Sequence, residues 1–501
     1  MSFRVFEFEQ EELNGKAFEV RINGEKVGLH TARVSAHPIN RRWPGHQRTV
    51  DQSEITHFLS FEMDEPVEIT VKPDFSFENV RVRPAALNDA LKVIGGAAII
   101  HLEKPAYFVV EFDDMHHALH VFAENVTDYA KEQAQGEILY YGKGFHDAGV
   151  IELKSNQTLW IDEGAVVYAS VRADGAENIK IIGYGILDNS KNKEVILHEV
   201  DTGDGSVDVG NAFRDHTVQF LWCKNIIIDG ITIRDSLVYN IKPVCCEDVV
   251  VRNVKIIGCW RYNSDGIDMH NCKNVLIEHC FVRTFDDCIC VKGFDWTQNP
   301  EDMVRDGESF DYFEDVLIRD CVLWNDWGKC LEIGAETRAE VIHNIRFENC
   351  DLIHLCGPAL DIFNVDWADV YDVSFENIRI ESESGEEAHM TQLTDEDVYP
   401  ENMPKVLDPL VINLTIKKHP EYSAGGDRRG RIRNVSFKNI YTTSAQNMRI
   451  SMNGYDADYR VQNVAIEGIY LNGIEIKDIE QLEFSHNNFV EDIYLIGKKI
   501  D

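Results

Sequence analysis

Three aspartates stand out by type and spacing: Asp265 in Asn263-Ser-Asp-Gly-Ile-Asp268, and the adjacent pair Asp286-Asp287 in Thr284-Phe-Asp-Asp-Cys-Ile-Cys290. About one repeat separates them, in a region whose repeats read as turns of a coil. Residues one repeat apart in a coil become near neighbours, so three carboxylates crowd one patch of surface. Like charges that close raise one another's pKa. A carboxylic acid and a carboxylate can then coexist near neutral pH and do paired acid and base work. The competing role is structural, as turn aspartates that cap the stack. Adjacent residues on a regular strand face opposite sides, so Asp286 and Asp287 can serve one site only if they sit at a bend or bulge.

The elements that must position them come from the repeats. Nine segments share a polar start, often ending in Asn or Asp, followed by alternating apolar positions. They begin at Glu177, Lys224, Glu247, Lys273, Glu314, His343, Tyr371, Arg433 and Gln462. Starts such as 224 and 247, or 433 and 462, lie 23 and 29 residues apart. The period within each is two, and the segments are too β-branched for helices. One such rung cannot bury its inner face, whereas stacked rungs bury it continuously through parallel pairing. The expected fold is therefore all-β, with a right-handed, single-stranded parallel β-helix over residues 136–501. Residues 1–135 lack the rung spacing and carry short alternating runs, such as Phe18-Glu-Val-Arg-Ile22, with turn signals between them. They read as an antiparallel β-sandwich. The acidic stretch from Glu381 to Leu407 is poor in β-branched residues and reads as a loop over the rim of the coil.

Charge narrows the partners. The formal net charge of the 501-residue chain is -37, which repels phosphate backbones and anionic headgroups, so neither nucleic acid nor a membrane is an expected partner. No stretch approaches the roughly 20 apolar residues of a membrane span. The first residues, Met1-Ser-Phe-Arg-Val-Phe-Glu-Phe-Glu, show no signal-peptide run, and a cytoplasmic location is the expectation. The 12 cysteines all fall between Cys223 and Cys356. They sit in apolar strand patterns and read as free, buried thiols. Cys288-Ile-Cys290 and Cys245-Cys246 lack the spacing of structural zinc sites. No metal and no cofactor are expected, and a homo-oligomer stays possible.

The series Asn263-Ser-Asp-Gly-Ile-Asp268, Asp286-Asp-Cys-Ile289 and Gly328-Lys-Cys-Leu-Glu-Ile-Gly334 resembles the motifs of glycoside hydrolase family 28, which contains the polygalacturonases. The segment from Tyr141 to Tyr168 is similar to the start of the coil in family 49, the dextranase-like enzymes, which also fits a preceding sandwich. The resemblance implies an inverting glycosidase acting on a carbohydrate. Asp286 would be the general acid, and Asp265 and Asp287 would hold the attacking water. An inverting pair also asks for carboxyl groups ~6.5–9.5 Å apart, with room for that water.

The departures bear on the substrate. Where polygalacturonases carry a histidine, this chain has Lys329. Where they carry a basic Arg-Ile-Lys segment, it has Gly357-Pro-Ala-Leu-Asp-Ile-Phe363, which adds Asp361 and no cation. Losing that clamp favours a neutral, glucan-like sugar, and rim loops favour exo action. Lys329 either meets a substrate carboxylate or pairs with Glu332 or Glu336, and Lys292 poses the same question. Asp268 joins the binding candidates, and His270 either orients a carboxylate or caps a turn. Trp260, Trp296 and Trp327, with Tyr262 and Trp367, are candidates to stack on sugar faces, against a packing role for each. The cluster Trp43-Pro-Gly-His-Gln-Arg48 is a candidate to close one end of the cleft. A uronate hydrolase, a lyase, an epimerase or a glycosyl-transferring enzyme on the same coil, and a binding module without turnover, are the other readings.

Overall fold

The computed structural model describes residues 3–8, 17–36, 39–41, 53–129, 136–191, 216–261, 263–294, 304–305, 307–382, 390–392, 409–420, 422–423 and 426–500. The sandwich occupies the first part of the chain. One sheet runs Phe3–Val5, Ser53–Met63, Ala118–Asn125, Tyr107–Phe112, Val80–Arg83, with His30–Ser35 also paired to Ser53–Met63. The other runs Glu25–Val27, Phe18–Ile22, Val67–Pro73, Ala97–Leu102, Leu91–Ile94. Alternation decides which side chains face inward: Phe18, Val20 and Ile22 are buried while Glu19 and Arg21 are exposed. One pairing departs from the antiparallel expectation, since Ala118–Asn125 runs parallel to Ser53–Met63. Three of the strands between them in sequence, Val67–Pro73, Leu91–Ile94 and Ala97–Leu102, belong to the opposite sheet, so the chain returns by a crossover and not by a hairpin.

The coil begins at Glu137–Tyr141 and forms a 31-stranded sheet, with neighbouring turns paired in parallel. Its register stacks like on like: Val249, Val275, Val316, Ile345, Val373, Val435 and Val464 follow one another turn by turn. All seven are buried, and each contributes about 1.5–3 kcal/mol of hydrophobic burial. The second residue of each of the nine repeats, from Asn178 to Asn463, is left-handed, with φ between 53 and 60°. Asn and Asp tolerate that conformation best among side-chain-bearing residues. They also bond along the stack, as where Asn225 donates to Asn178 at 2.7 Å and Asn463 to Asn434 at 2.8 Å. The 12 cysteines are free thiols, and all but the half-buried Cys356 are buried.

The sandwich lies against one side of the coil. Phe58, Val109 and Phe122 pack on Ile257, Phe281 and Trp324. Arg83 reaches Glu111 at 2.9 Å and Glu381 at 3.0 Å, and Lys255 pairs with Glu124. Glu381 is thus corrected: it ends the coil strand Asp369–Glu381 and clasps the sandwich, because a buried arginine takes its carboxylate. Within the remaining acidic stretch, Met390–Gln392 pairs with Ile39–Arg41 of the sandwich domain. Residues 383–389 and 393–407, Trp43 to Arg48, Tyr262 and Trp296 lie outside the described residues.

The seam supplies a stability test. Glu124 and Lys255 are both buried, and burial pushes the Glu124 carboxyl up to about 7 despite the ammonium beside it. Lys255→Met is expected to lower stability by about 3–5 kcal/mol, the cost of leaving one partner of a buried pair. The double variant Lys255→Met/Glu124→Leu should recover most of it. Denaturant unfolding of the single and double variants checks this, and equal losses in both would refute the pairing.

Candidate active site

Asp265 lies just ahead of the strand Ile267–His270, and Asp286-Asp287 occupy a bend between Phe281–Thr284 and Ile289–Lys292. The bend is the one that their adjacency demanded. It is fixed from both sides. Thr284 Oγ1 and Asn325 Nδ2 donate to the Asp286 carbonyl, the latter at 2.6 Å, and the Gly266 amide donates to the Asp287 carbonyl at 2.8 Å. Gly328 packs so tightly on this bend that a Cβ there would come within 2.6 Å of the Asp287 nitrogen. A side chain at 328 would displace the pair.

The structure brings the three aspartates together: one oxygen of each lies within 4.8 Å of the others. These oxygens are nearer than the 6.5–9.5 Å expected between an inverting pair. Around them the register builds a second row. Asp268, Cys290, Glu332, Asp361 and Asn413 occupy one position in successive turns. Lys292 is buried among four carboxylates, 2.8 Å from Asp268, 3.5 Å from Asp265, and 3.6 Å from both Asp287 and Glu336. Lys329 pairs with Glu332 and sits 2.9 Å from Asp361, while its amide donates to Asp287 Oδ1 at 3.0 Å. Of the two pairings expected for Lys329, the one with Glu332 forms, and Glu336 belongs to Lys292. Asp287, Cys290 and Glu332 also converge within 4.8 Å. The two ammonium groups already supply positive charge to both clusters, the role a cation would fill.

Electrostatics separates the aspartates. Burial, and then the charge of Asp287, push Asp286 up to about 8. Burial would raise Asp287 too, but Lys292 and Lys329 outweigh it and hold that carboxyl below its usual range. Asp265 is raised well above the usual range by burial, with Asp268 and Asp286 adding to the effect. The surroundings thus favour the charged form of Asp287 and the neutral forms of Asp286 and Asp265. Asp265 thus differs from Asp287 in its surroundings: it faces two other carboxyls, and the ammonium beside it is shared four ways. Glu332 is likewise raised, by burial and then by Asp287.

Other candidates make contacts within the protein. His270 Nδ1 donates to the Gly293 carbonyl at 2.9 Å, tying one turn to the next. Trp260 is buried, donates to Asp235 at 3.1 Å and lies under Arg261, which makes it packing and not a sugar platform. Trp327 stacks on Phe285 with ring centres 5.7 Å apart. Trp367 packs against an apolar cluster that includes Phe294 and Phe310. Two residues near the site escaped the sequence reading. Asn413 bonds Asp361 at 2.7 Å, and its rung was hidden because the preceding acidic stretch breaks the repeat spacing. Tyr239 lies 5.3 Å from the Lys292 ammonium, and nothing in its local sequence marks it.

Comparisons with known proteins fit this geometry. Residues 141–355 match the model of glycosyl hydrolases family 28. A polygalacturonase of Gossypium barbadense is 23% identical over 303 residues, covering 59% of this chain and 61% of that one. The chain spans between 21 and 61% of the length of the curated relatives it matches. Among solved structures, an exopolygalacturonase from Thermotoga maritima aligns with a TM-score of 0.51 at 20% identity, covering 74% of this chain and 86% of that one. Dex49A from Penicillium minioluteum aligns with a TM-score of 0.60 at 11% identity over 98% and 96% of the two chains. Both likenesses are of fold, and the second takes in the sandwich as well as the coil. Residues 141–355 are thus similar in sequence to glycosyl hydrolases family 28, and the chain as a whole has the sandwich and parallel β-helix fold.

Proposed function

We propose that this protein is a glycoside hydrolase in which Asp286 protonates the leaving oxygen and Asp287 activates the attacking water. The observation that carries this is the convergence of Asp265, Asp286 and Asp287 within 4.8 Å from two turns of the coil. Proton donor and base need opposite protonation states at one pH, and the surroundings push these two carboxyls in opposite directions. Asp265 donates a hydrogen bond within the cluster and orients the water. Oxygens that converge within 4.8 Å do not themselves select inversion over retention, so the anomeric configuration of the first product, followed by NMR, decides between them.

The names of the sequence relatives support polygalacturonase-like action on a uronate polymer. A second reading, a neutral sugar, rests on charge. Seven carboxyl groups (Asp265, Asp268, Asp286, Asp287, Glu332, Glu336 and Asp361) face two ammonium groups, Lys292 and Lys329, and both are engaged by protein carboxylates. A uronate bound at Lys329 would have to displace Asp361 or Glu332, which lowers its affinity. Oligomers of α-1,4-galacturonate and α-1,6-glucose, assayed for new reducing ends, separate the two. If uronate is the substrate and Lys329 its clamp, Lys329→Gln should raise KM by ~10–100-fold on galacturonate, a charge-assisted bond being worth ~1.5–3 kcal/mol. Turnover of the glucan with none of the galacturonate selects the neutral reading. Cleavage of the galacturonate that leaves an unsaturated end absorbing in the ultraviolet would favour a lyase.

A further inference from the structure

We propose that the groove along the seam between sandwich and coil is a second oligosaccharide-binding site, at a different corner of the coil from the aspartate cluster; its ligand class rests on the carbohydrate reading above. The groove encloses a cavity of 540 Å³, which adjoins a smaller pocket of 260 Å³ and shares Glu124, Asn125, Asn253 and His279 with it. Its volume is in the range of small-molecule sites.

Its two walls differ in chemistry. The coil contributes Asn253, His279, Asp320 and Asn349 from four successive turns, each following a residue of one paired row, Arg252, Glu278, Arg319 and Glu348. That arrangement offers one polar side chain for every strand spacing of ~4.8 Å. The sandwich contributes Pro84, Leu87, Pro105 and the ring of Tyr107. A sugar chain has the matching faces, apolar CH surfaces on one side and hydroxyls at regular intervals on the other.

Hydrogen-bonding capacity is left over in this groove. Among the described residues, the side chains of Lys104, Tyr107, Asn125 and His279 make no hydrogen bond, and the nearest carboxylate to His279 is Asp320 at 3.9 Å. Charge is nearly balanced, unlike the catalytic cluster. Arg379 pairs with Asp351 through contacts of 2.5 and 2.8 Å, Lys255 pairs with Glu124, Arg319 lies 3.8 Å from Asp320, and Lys104 also lines the groove. A groove whose carboxylates each have a cation beside them, on a chain of charge -37, suits a hydroxyl-rich ligand better than a polycation or a phosphate. The turn that carries His279 also carries Asp286 and Asp287, the next carries Lys329, and the one after that carries Asp361. A polymer held in the groove is therefore held on the same turns that carry the chemistry.

The test uses the full chain in the Asp286→Asn background, titrated calorimetrically with hexamers of α-1,4-galacturonate and of α-1,6-glucose. Two binding events per chain are expected for one of the hexamers. Ala86→Trp, which fills the groove from an exposed wall position, and His279→Ala should each abolish one event or weaken it at least tenfold, leaving the other unchanged. Both positions are exposed, and unaltered thermal midpoints confirm folding. A single event unaffected by either variant, or no binding of either hexamer, overturns the proposal. Failure of the hydrolase reading looks different: the parent chain would leave both hexamers uncut while groove binding persists.

Discussion

Asp286→Asn is expected to fold like the parent and to lose turnover by ~10²–10⁴-fold, the usual contribution of a positioned general acid. The substitution keeps size and shape but leaves no proton acidic enough to give to the leaving oxygen. The parent should also show a bell-shaped pH profile. An acid works only while protonated, so activity holds below the Asp286 pKa and falls as pH rises through about 8. A base works only while ionised, and Asp287 is held below the ordinary carboxylate range, so the acidic limb should lie low. Asp287→Asn should cost as much as Asp286→Asn. Asp265→Asn should cost less, since an amide can still donate the hydrogen bond that protonated Asp265 makes. Kinetics of the three variants over pH 3–10 decide the roles. Near-normal turnover in Asp286→Asn removes the acid assignment, and a larger loss from Asp265→Asn than from Asp287→Asn would make Asp265 the base.

Lys292→Met should move the acidic limb of that profile upward by ~1–3 pH units, the shift that an opposite charge within a few ångströms produces. Lys292 is 3.6 Å from Asp287 and also touches Asp265, Asp268 and Glu336. Its ammonium is what lets one carboxyl of a crowded, buried group ionise. Without it, Asp287 must compete for ionisation against four neighbours, and turnover at neutral pH falls as the base becomes protonated. Stability should fall as well, by about 3–5 kcal/mol, as when one partner of a buried pair is removed. That loss grows as pH rises, because each carboxyl can relieve it only by keeping a proton. Lys292→Arg restores the charge and should bring back part of the acidic limb. A role in packing alone predicts an unchanged pH profile, and that result would refute the positioning role.

Much of this molecule is legible in its sequence because a β-helix is a repeating object. The Asn or Asp at the second position of each rung marks a left-handed residue, and the alternating valines and isoleucines mark the buried row. Local rules of period and turn therefore carry over to the whole coil. The adjacency of Asp286 and Asp287 even predicts the bend. The pairing of Lys329 is a different matter: Glu332 and Glu336 both lie within reach in sequence, and only the stacking of turns assigns Glu332 and Asp361 to Lys329 and Glu336 to Lys292. Trp260 shows the converse. Its neighbourhood in sequence resembles a sugar platform, yet Asp235, from the preceding turn, bonds its indole and buries it.

By itself the sequence determined the all-β class, the coil, the sandwich before it and the identity of the three aspartates, since these follow from periods and motifs that are local. Only the tertiary structure decided in which direction each carboxyl is pushed. Protonation depends on burial and on every charge within a few ångströms, and those neighbours come from turns of the coil far apart in sequence. That is why Asp265, first among the three by motif, is pushed up by burial and by its neighbours Asp268 and Asp286, and why Lys292, a residue with no motif of its own, joins Lys329 in holding Asp287 low.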